Sequence, residues 1–550
     1  MKKRKKIGDL LLEAGLITKE QLEKALQEQK NSNMRLGDML ISQGLITEQQ
    51  VIKALEKQLG IPHVRLTNDC IDRQTIALLP GKVAKQHAAI PLRIENGKLI
   101  TAMADPLDVQ AIDEISLHTG LRIEPVIASK KEILHMVRRH YELHEMIDQI
   151  TWALSGEKHR HGERSQESPV IYAVNQLIGH AVELGASDIH LDPQADGLYV
   201  RYRIDGLLRT EFVLPLHLHA VMAARMKIMG DMDVAEKRLP QDGRMNLMID
   251  DRNIDIRIAS LPTIYGEKIV MRLLDLSQSI SDLNGLNMTS ENLAMFKKAI
   301  NQPNGAVIIT GPTGSGKSTT LYAALSELNQ DEVNLITIED PVEYRIPGVN
   351  QVQVNPAAGL TFASGLRSIL RQDPNIIMVG EIRDRETAEI SIRAALTGHL
   401  VLSTLHTNNA VNTITRLIDM GVEPFLAASA LNCVVAQRLV RKICTNCKIS
   451  YAPGADELIL LEQHEIEAKE LFRGAGCYEC GQTGFKGRMA VHEVLLLDDE
   501  MRALIMQKKS DSEYMAHALR KGMVPMIKDG FAKAVQGCTT IDQVMRVTSN

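Results

Sequence analysis

The chain has 550 residues, 44% apolar and 24% charged, a globular balance spread over too much length for one core, so several domains are expected. Net charge is −5 and aromatics make up 3%, so neither a basic field nor base-stacking rings point to nucleic acid, and no nucleic-acid partner is expected. No run of about 18 apolar residues is present to span a bilayer, and the seven cysteines are expected to be thiols or metal ligands, not a disulfide frame. The basic start at Met1–Lys6 leads into Asp9 and Glu13, which interrupt any leader-like apolar core. A cytoplasmic location is therefore expected, with contact at a membrane surface left open.

Residues 6–29 (KIGDLLLEAGLITKEQLEKALQEQ) recur as residues 35–58 (RLGDMLISQGLITEQQVIKALEKQ), with twelve of 24 positions identical at an offset of 29. In each copy an apolar run ends at a glycine, a threonine can cap a helix, and apolar positions then fall three and four apart along it. Duplication at this period predicts two stacked copies of one small helical unit across residues 1–59. Residues 60–145 mix short strands and helices, with turns at Ile94–Gly97 and Ala104–Pro106, and read as a small α/β part. A polar stretch without periodicity, SGEKHRHGERSQES, makes 146–168 a linker.

From 169 to 298 helices alternate with strands such as Leu198–Ile204 and Asn253–Ile258. From 299 to 440 come short, wholly apolar strands (Ala306–Thr310, Leu335–Ile338, Ile376–Val379, Leu400–Thr404) separated by helices, the pattern of an α/β domain on a buried parallel sheet. Residues 441–487 hold two cysteine pairs, and 488–550 read as helical.

Gly311, Pro312, Thr313, Gly314, Ser315, Gly316, Lys317 and Ser318 fit G-x-x-x-x-G-K-[ST] directly after the first of those strands, with Thr319 opening the next helix. Glycines let successive backbone N–H groups turn inward and cradle phosphates at a helix N-terminus. Lys317 is expected on the β/γ-phosphates of ATP and the Ser318 hydroxyl on Mg²⁺. Two acidic elements come after buried strands: Glu339, Asp340 and Glu343 in IEDPVEY, and Glu381 at the end of IIMVGE. Strand ends are where α/β sheets place active groups. One of these carboxylates is expected to polarise the attacking water and another to hold the magnesium shell.

Taken together these motifs resemble the secretion ATPase superfamily of type II secretion and type IV pilus assembly over residues 169–500, adding GEIRDRETAE (380–389) and TGHLVLSTLHTNNA (397–410). The resemblance implies a RecA-like ATPase domain preceded by a PAS-like α/β domain, assembled as a homo-hexamer. It implies Glu343 as the catalytic glutamate, Glu381 as the Walker B acid, and His399 and His406 as histidine-box residues, with the phosphate-sensing histidine left open between them. By family position Arg257 and Arg272, with Arg367, Arg371, Arg383 and Arg416, line the nucleotide site or a subunit interface. Implied partners are an inner-membrane platform protein and an adaptor of the pilus or secretion machine, placing the chain on the inner face of the inner membrane. A P-loop DNA motor is the rival class, and it would need the basic channel that the composition does not suggest.

Cys444, Cys447, Cys477 and Cys480 form two C-x-x-C knuckles, the arrangement that turns four thiolates toward one Zn²⁺. Secretion and pilus-assembly ATPases carry the same insert, whereas retraction ATPases lack it, so extension or export is implied. The N-terminal repeat resembles the cyclic di-GMP-binding domain of pilus-extension ATPases of the mannose-sensitive haemagglutinin type, which carries two 24-residue motifs with a five-residue spacer. That resemblance implies ligand contacts from Lys6, Ile7, Gly8, Asp9, Leu11, Gly15, Leu26 and Gln29 in the first copy. In the second copy it implies Arg35, Leu36, Gly37, Asp38, Leu40, Gly44, Leu55 and Gln58. The motif begins R-L-G, and Lys6 in place of arginine gives up the two-pronged contact with a guanine edge. A docking module that binds no nucleotide is the alternative for this repeat.

Overall fold

The computed structural model describes residues 7–29, 36–46, 48–64, 66, 70–138, 141, 169–249, 251–275 and 282–548. Lys6, Arg35 and the Asp38 side chain, all expected ligand contacts, lie outside the described residues.

Each repeat folds as a short helix and a longer one: Ile7–Glu13 with Lys19–Gln29, then Leu36–Ser42 with Glu48–Leu59. Gly15 and Gly44 sit at φ 67° and 69° between the paired helices, where the chain must turn through the left-handed region. Thr18 caps the second helix reciprocally, its hydroxyl accepting from the Gln21 amide at 3.2 Å while Gln21 Oε1 accepts from the Thr18 amide at 2.8 Å. The copies pack crosswise, Ile7–Glu13 on Glu48–Leu59 and Lys19–Gln29 on Leu36–Ser42, around a shared core of Leu11, Leu22, Ala25, Leu40, Ile46 and Val51. Gly8 and Gly37 are the approach points within each copy: a Cβ would meet Leu22 at 2.9 Å and Val51 at 3.0 Å. Four of the positions implied as ligand contacts also serve the packing of the repeat. Leu11 and Leu40 are wholly buried and fill the core, and Gly8 and Gly37 make room for their own copy's longer helix.

A three-stranded sheet comes next (Ala89–Glu95, Lys98–Met103, Arg122–Ile127), with an antiparallel hairpin through Asn96-Gly97 and a parallel return over the helix Val109–Thr119. The PAS-like domain is a six-stranded antiparallel sheet in the order Leu207–Leu214, Gly197–Ile204, Ala186–Gln194, Gly266–Asp275, Arg252–Thr263, Gln241–Ile249. Helices Pro169–Glu183 and His219–Met229 bury their apolar faces on it.

The ATPase sheet has seven strands, ordered Asn350–Gln353, Leu335–Glu339, Ile376–Val379, Leu400–Leu405, Gly305–Thr310, Leu431–Ile443, Phe485–Leu496. The first six run parallel and the last antiparallel. Every residue of Gly305–Thr310 and Leu400–Leu405 is buried, which is why those strands read as unbroken apolar runs. Phe485–Leu496 extends the sheet beyond residue 440, so the cysteine knuckles stand on an excursion between two paired strands. Helices from Asp499 to Thr548 pack into the same core as the sheet. Among the described residues no helix is long and apolar enough to cross a membrane.

Candidate functional site

The loop from Gly311 to Gly316 joins the buried strand Gly305–Thr310 to the helix Lys317–Leu328, with Gly314 and Gly316 at φ 78° and 89°. Such a loop turns free backbone N–H groups outward at a helix start, where an anion is favoured. Pro312, Thr313, Gly314, Ser318 and Thr319 are not buried, and Ser315 is buried beneath them. Lys317 Nζ donates to the carbonyls of Gly311 at 2.8 Å and Pro312 at 3.1 Å, so the ammonium lies over the loop. Burial lowers its pKa to about 8, with nearby Arg438 adding and the Glu381 carboxylate opposing.

One support of this loop, and a cation near it, belong to no motif in the sequence. Gln437 Nε2 donates to the Ser315 carbonyl at 2.8 Å while its Oε1 accepts from Thr320 Oγ1 at 2.8 Å, clamping loop and helix together. Arg438, also on Leu431–Ile443, is nearly buried and donates to the carbonyls of Gln437 at 3.1 Å and Asn408 at 2.8 Å. The only signal available was a polar pair inside the apolar run LNCVVAQRLV.

Glu381 lies just past the strand Ile376–Val379. Its Oε1 is 2.5 Å from Arg383 Nη2 and its Oε2 is 3.5 Å from His406 Nε2. Glu381, Arg383, His406 and Lys317 therefore share one electrostatic neighbourhood at the C-terminal edge of the sheet. His399 does not join them. It precedes the strand Leu400–Leu405 whereas His406 comes after it, a separation of roughly 20 Å at strand rise. Its carbonyl accepts from the Gly305 amide at 3.1 Å and its Nδ1 lies 3.0 Å from the Ala394 carbonyl, at the sheet edge opposite the loop.

Glu339 is buried and fully engaged, accepting from Tyr322 Oη, from Thr337 Oγ1 at 2.6 Å and from Gln351 Nε2 at 3.1 Å. The same Tyr322 Oη accepts from the Glu343 amide at 3.2 Å. A tyrosine on the helix behind the loop thus ties down the backbone of IEDPVEY. Asp340 is exposed beside that hub, within electrostatic reach of Arg383.

Glu343 Oε2 accepts from Arg257 Nη2 of the PAS-like sheet at 2.8 Å. Arg257 and Arg272 line a cleft of about 630 Å³ between the two domains, together with Asp188, Arg244, Pro341 and Gln353. Arg272 Nε is 3.2 Å from Asp188 Oδ1. Arg367, Arg371 and Arg416 are all exposed on the helical side: Arg367 pairs with Glu386, and Arg371 bonds the Arg367 carbonyl at 2.8 Å. The arrangement offers a cation over an anion-favouring loop, an acid beside it, and a second acid held from the neighbouring domain, which suits charge neutralisation and water activation on a phosphoanhydride.

In the cysteine unit the sulfurs of Cys444 and Cys477 are 3.7 Å apart, Cys447 and Cys480 3.9 Å, and Cys477 and Cys480 3.7 Å, all buried. Ligands ~2.3 Å from one tetrahedral centre stand about 3.8 Å from each other, so these spacings fit a metal and are far too long for disulfides. The amides of Cys477 and Gly484 each lie 3.2 Å from Cys480 Sγ, hydrogen bonds that suit a thiolate.

Among the residues the repeat resemblance implied, Asp9, Gly15, Leu26 and Gly44 are exposed. Ile7, Gln29, Leu36, Leu55 and Gln58 are half-buried.

Comparison with known proteins agrees with this geometry. Residues 163–546 match the family described as Type II/IV secretion system protein, and residues 59–146 match the MshEN domain. The chain is similar to the type IV pilus assembly ATPase PilB of Myxococcus xanthus, at 40% identity over 99% of both chains. It is similar to the type II secretion system ATPase E of Vibrio cholerae at 47% identity, over 70% of this chain and 76% of that one. Its fold is shared with the Legionella pneumophila ATPase DotB, at TM-score 0.51 and 22% identity over 70% of this chain and 98% of the other. With a family match over most of its length and a relative aligned from end to end, the chain belongs to the type II/IV secretion system protein family and is an ATP hydrolase.

Proposed function

We propose that this ATPase is a homo-hexameric extension motor of a type IV pilus, working at the inner face of the inner membrane under control of cyclic di-GMP. The observation that carries this reading is the similarity to a pilus assembly ATPase over 99% of both chains, N-terminal region included, whereas the type II secretion relatives of Vibrio cholerae and Xanthomonas campestris align over 70% and 85% of this chain. The mannose-sensitive haemagglutinin type is suggested by the repeat and the MshEN match together. Its partners are then an inner-membrane platform protein and an adaptor.

In this reading the loop 311–318 cradles the phosphates of ATP and Lys317 swings from the Gly311 and Pro312 carbonyls onto the β/γ-phosphates. Ser318 and Glu381 would hold Mg²⁺, which would neutralise phosphate charge. Glu343 orients and deprotonates the attacking water. Arg257 and Arg272 answer the charge that develops, and the exposed Arg367, Arg371 and Arg416 are available to a neighbouring subunit. Glu339 holds the Glu343 loop through Tyr322 and touches no ligand. The four cysteines hold one structural Zn²⁺. Cyclic di-GMP sits on the pseudo-symmetric repeat, one guanine and phosphate to each copy.

Deleting the gene and restoring it with the natural or the Glu343→Gln form tests the assignment. Pilus display that fails without the chain and stays absent with Glu343→Gln, while protein export continues, is the expected result. Lost export with normal pili would assign the chain to type II secretion.

A further inference from the structure

The turn Asp205-Gly206 of the PAS-like sheet, between Gly197–Ile204 and Leu207–Leu214, does not end in solvent. Asp205 Oδ2 accepts from the amide of Gly487 at 2.8 Å, and Arg488 Nε stands 4.0 Å from Asp205 Oδ1. A few residues along, Arg209 lies over Gly481 of the cysteine unit, its Nη1 3.4 Å from where a Cβ would project. Charges of the N-terminal domain also act on this unit. Lys131, on that domain's last described helix Lys130–Val137, is within electrostatic reach of Glu479, whose carboxylate also takes the Lys486 ammonium at 2.6 Å. Arg138 reaches Glu183, the last residue of the PAS-like helix, at 3.8 Å, and both charges act on Tyr478.

We propose that the loop Cys477–Arg488 is a docking surface on which the N-terminal and PAS-like domains meet the motor, and that ligand occupancy of the N-terminal domain reaches the ATPase site across it. The second clause rests on the cyclic di-GMP reading above. The PAS-like domain touches this loop through Asp205 and Arg209, and the N-terminal domain is tied to the PAS-like helix beside it through Arg138 and Glu183. The paired knuckles at Cys477 and Cys480 fix the loop's shape. The charge pairs at the edge are exposed, with Arg138 and Glu183 at 58% and 50%, and exposed pairs hold weakly. A contact of this strength opens and closes readily. A ligand that prefers the docked or the undocked arrangement then shifts its population. The PAS-like domain carries Arg257, so a shift in its seating moves the group that holds Glu343.

Hydrogen exchange on the full-length protein decides the matter, using Asp205→Gly, Arg138→Glu and the double exchange Arg138→Glu/Glu183→Arg. Glycine tolerates the left-handed turn that Asp205 adopts at φ 49° and removes the accepting side chain. Exchange at the Gly487 amide is expected to rise roughly tenfold in Asp205→Gly, because its acceptor is gone. Exchange across 478–488 rises in Arg138→Glu and returns in the double exchange. Zinc content is expected to stay at the natural level in all three, which separates undocking from collapse of the cysteine unit. Cyclic di-GMP is the probe for the second clause: its binding heat persists in Asp205→Gly while its effect on ATP turnover falls. Unchanged exchange in both single variants overturns the docking surface. A full ligand effect in Asp205→Gly overturns the path. A natural protein that gives no heat with cyclic di-GMP overturns the ligand reading and the path with it, and the exchange data still judge the surface.

Discussion

Arg257 of the PAS-like sheet donates to Glu343 of the ATPase domain at 2.8 Å, a hydrogen bond that joins two domains through one carboxylate. The guanidinium is held in turn by Asp255, a fully buried acid whose Oδ2 is 3.9 Å from Arg257 Nε and whose Oδ1 is 2.6 Å from Arg244 Nε. Glu343 is therefore presented by its own loop and aimed from outside it. Glu343→Gln should retain ATP binding and lose about 10²–10⁴ in turnover, because only water activation is removed. Arg257→Ala should lower turnover by about 10²–10³ with a smaller change in affinity, since a charge aimed at the developing anion is lost. Paired measurements of Kd and kcat check both. Parental turnover in Glu343→Gln would remove the catalytic assignment.

Tyr322 is the hub behind that carboxylate. Its hydroxyl donates to buried Glu339 and accepts from the Glu343 amide at 3.2 Å. Tyr322→Phe leaves a buried carboxylate one donor short, which costs about 1–3 kcal/mol. It also frees the Glu343 backbone, so turnover should fall while ATP affinity holds. Thermal unfolding and steady-state kinetics on the same sample read the two effects; a variant with natural melting and natural turnover would reduce Tyr322 to a packing residue.

Lys317 should set a pH limit on nucleotide binding. Burial lowers its pKa to about 8 in the free protein, and bound phosphate raises it again. The protonated form is the one that binds, so affinity is level below about pH 8 and falls above it, by up to tenfold per pH unit until the raised pKa is reached. Calorimetry with the Glu343→Gln protein avoids turnover during the titration. In buffers of different ionisation enthalpy it should show proton uptake above about pH 8 and none well below it. An affinity flat to about pH 10 would mean that Lys317 does not carry the phosphate contact.

The cysteine unit should hold about one zinc per chain, lost in Cys444→Ser or Cys477→Ser along with protection of the segment 444–484. Elemental analysis gives the first number and limited proteolysis the second. A metal-free chain with an intact unit would leave the four thiols as packing.

Much of this was legible in the residues, and the reasons are physical. Strands buried on both faces announce themselves as apolar runs, and the loop 311–318 is fixed by glycines that only that turn requires. The repeat announced its pairing through identity at a constant offset, and the crosswise packing is consistent with it. The hidden part depends on three-dimensional neighbours. Leu11 and Leu40 match a ligand-contact position by sequence, and that they also fill the core is seen only in three dimensions. Glu339 reads as one of three equivalent acids until Tyr322, Thr337 and Gln351 surround it. Gln437 serves a loop more than a hundred residues earlier, a relation that no local pattern carries. The antiparallel return of Phe485–Leu496 was masked because the cysteine excursion separates it from the apolar run that precedes the first knuckle.

The two histidines of TGHLVLSTLH give the sharpest division between site and scaffold. They bracket the single strand Leu400–Leu405, so strand rise alone puts roughly 20 Å between them. His406 leaves the C-terminal end beside Glu381, its Nε2 3.5 Å from Oε2, within the neighbourhood of Lys317. His399 sits at the other end with Nδ1 3.0 Å from the Ala394 carbonyl, closing the turn that brings the helix Arg385–Leu396 back to the sheet. His406→Ala should therefore lower turnover about 10–10²-fold while the fold melts at its usual temperature, because an acid beside the phosphate loop loses its partner. His399→Ala should leave a single chain's ATP binding intact and show its cost in unfolding, at about 1 kcal/mol for one lost hydrogen bond. Kinetics and thermal melts on the two variants separate these effects. The reverse pattern, with turnover lost at His399 and stability lost at His406, would place the phosphate-sensing role at the far end of the strand, where only a neighbouring subunit could deliver nucleotide to it.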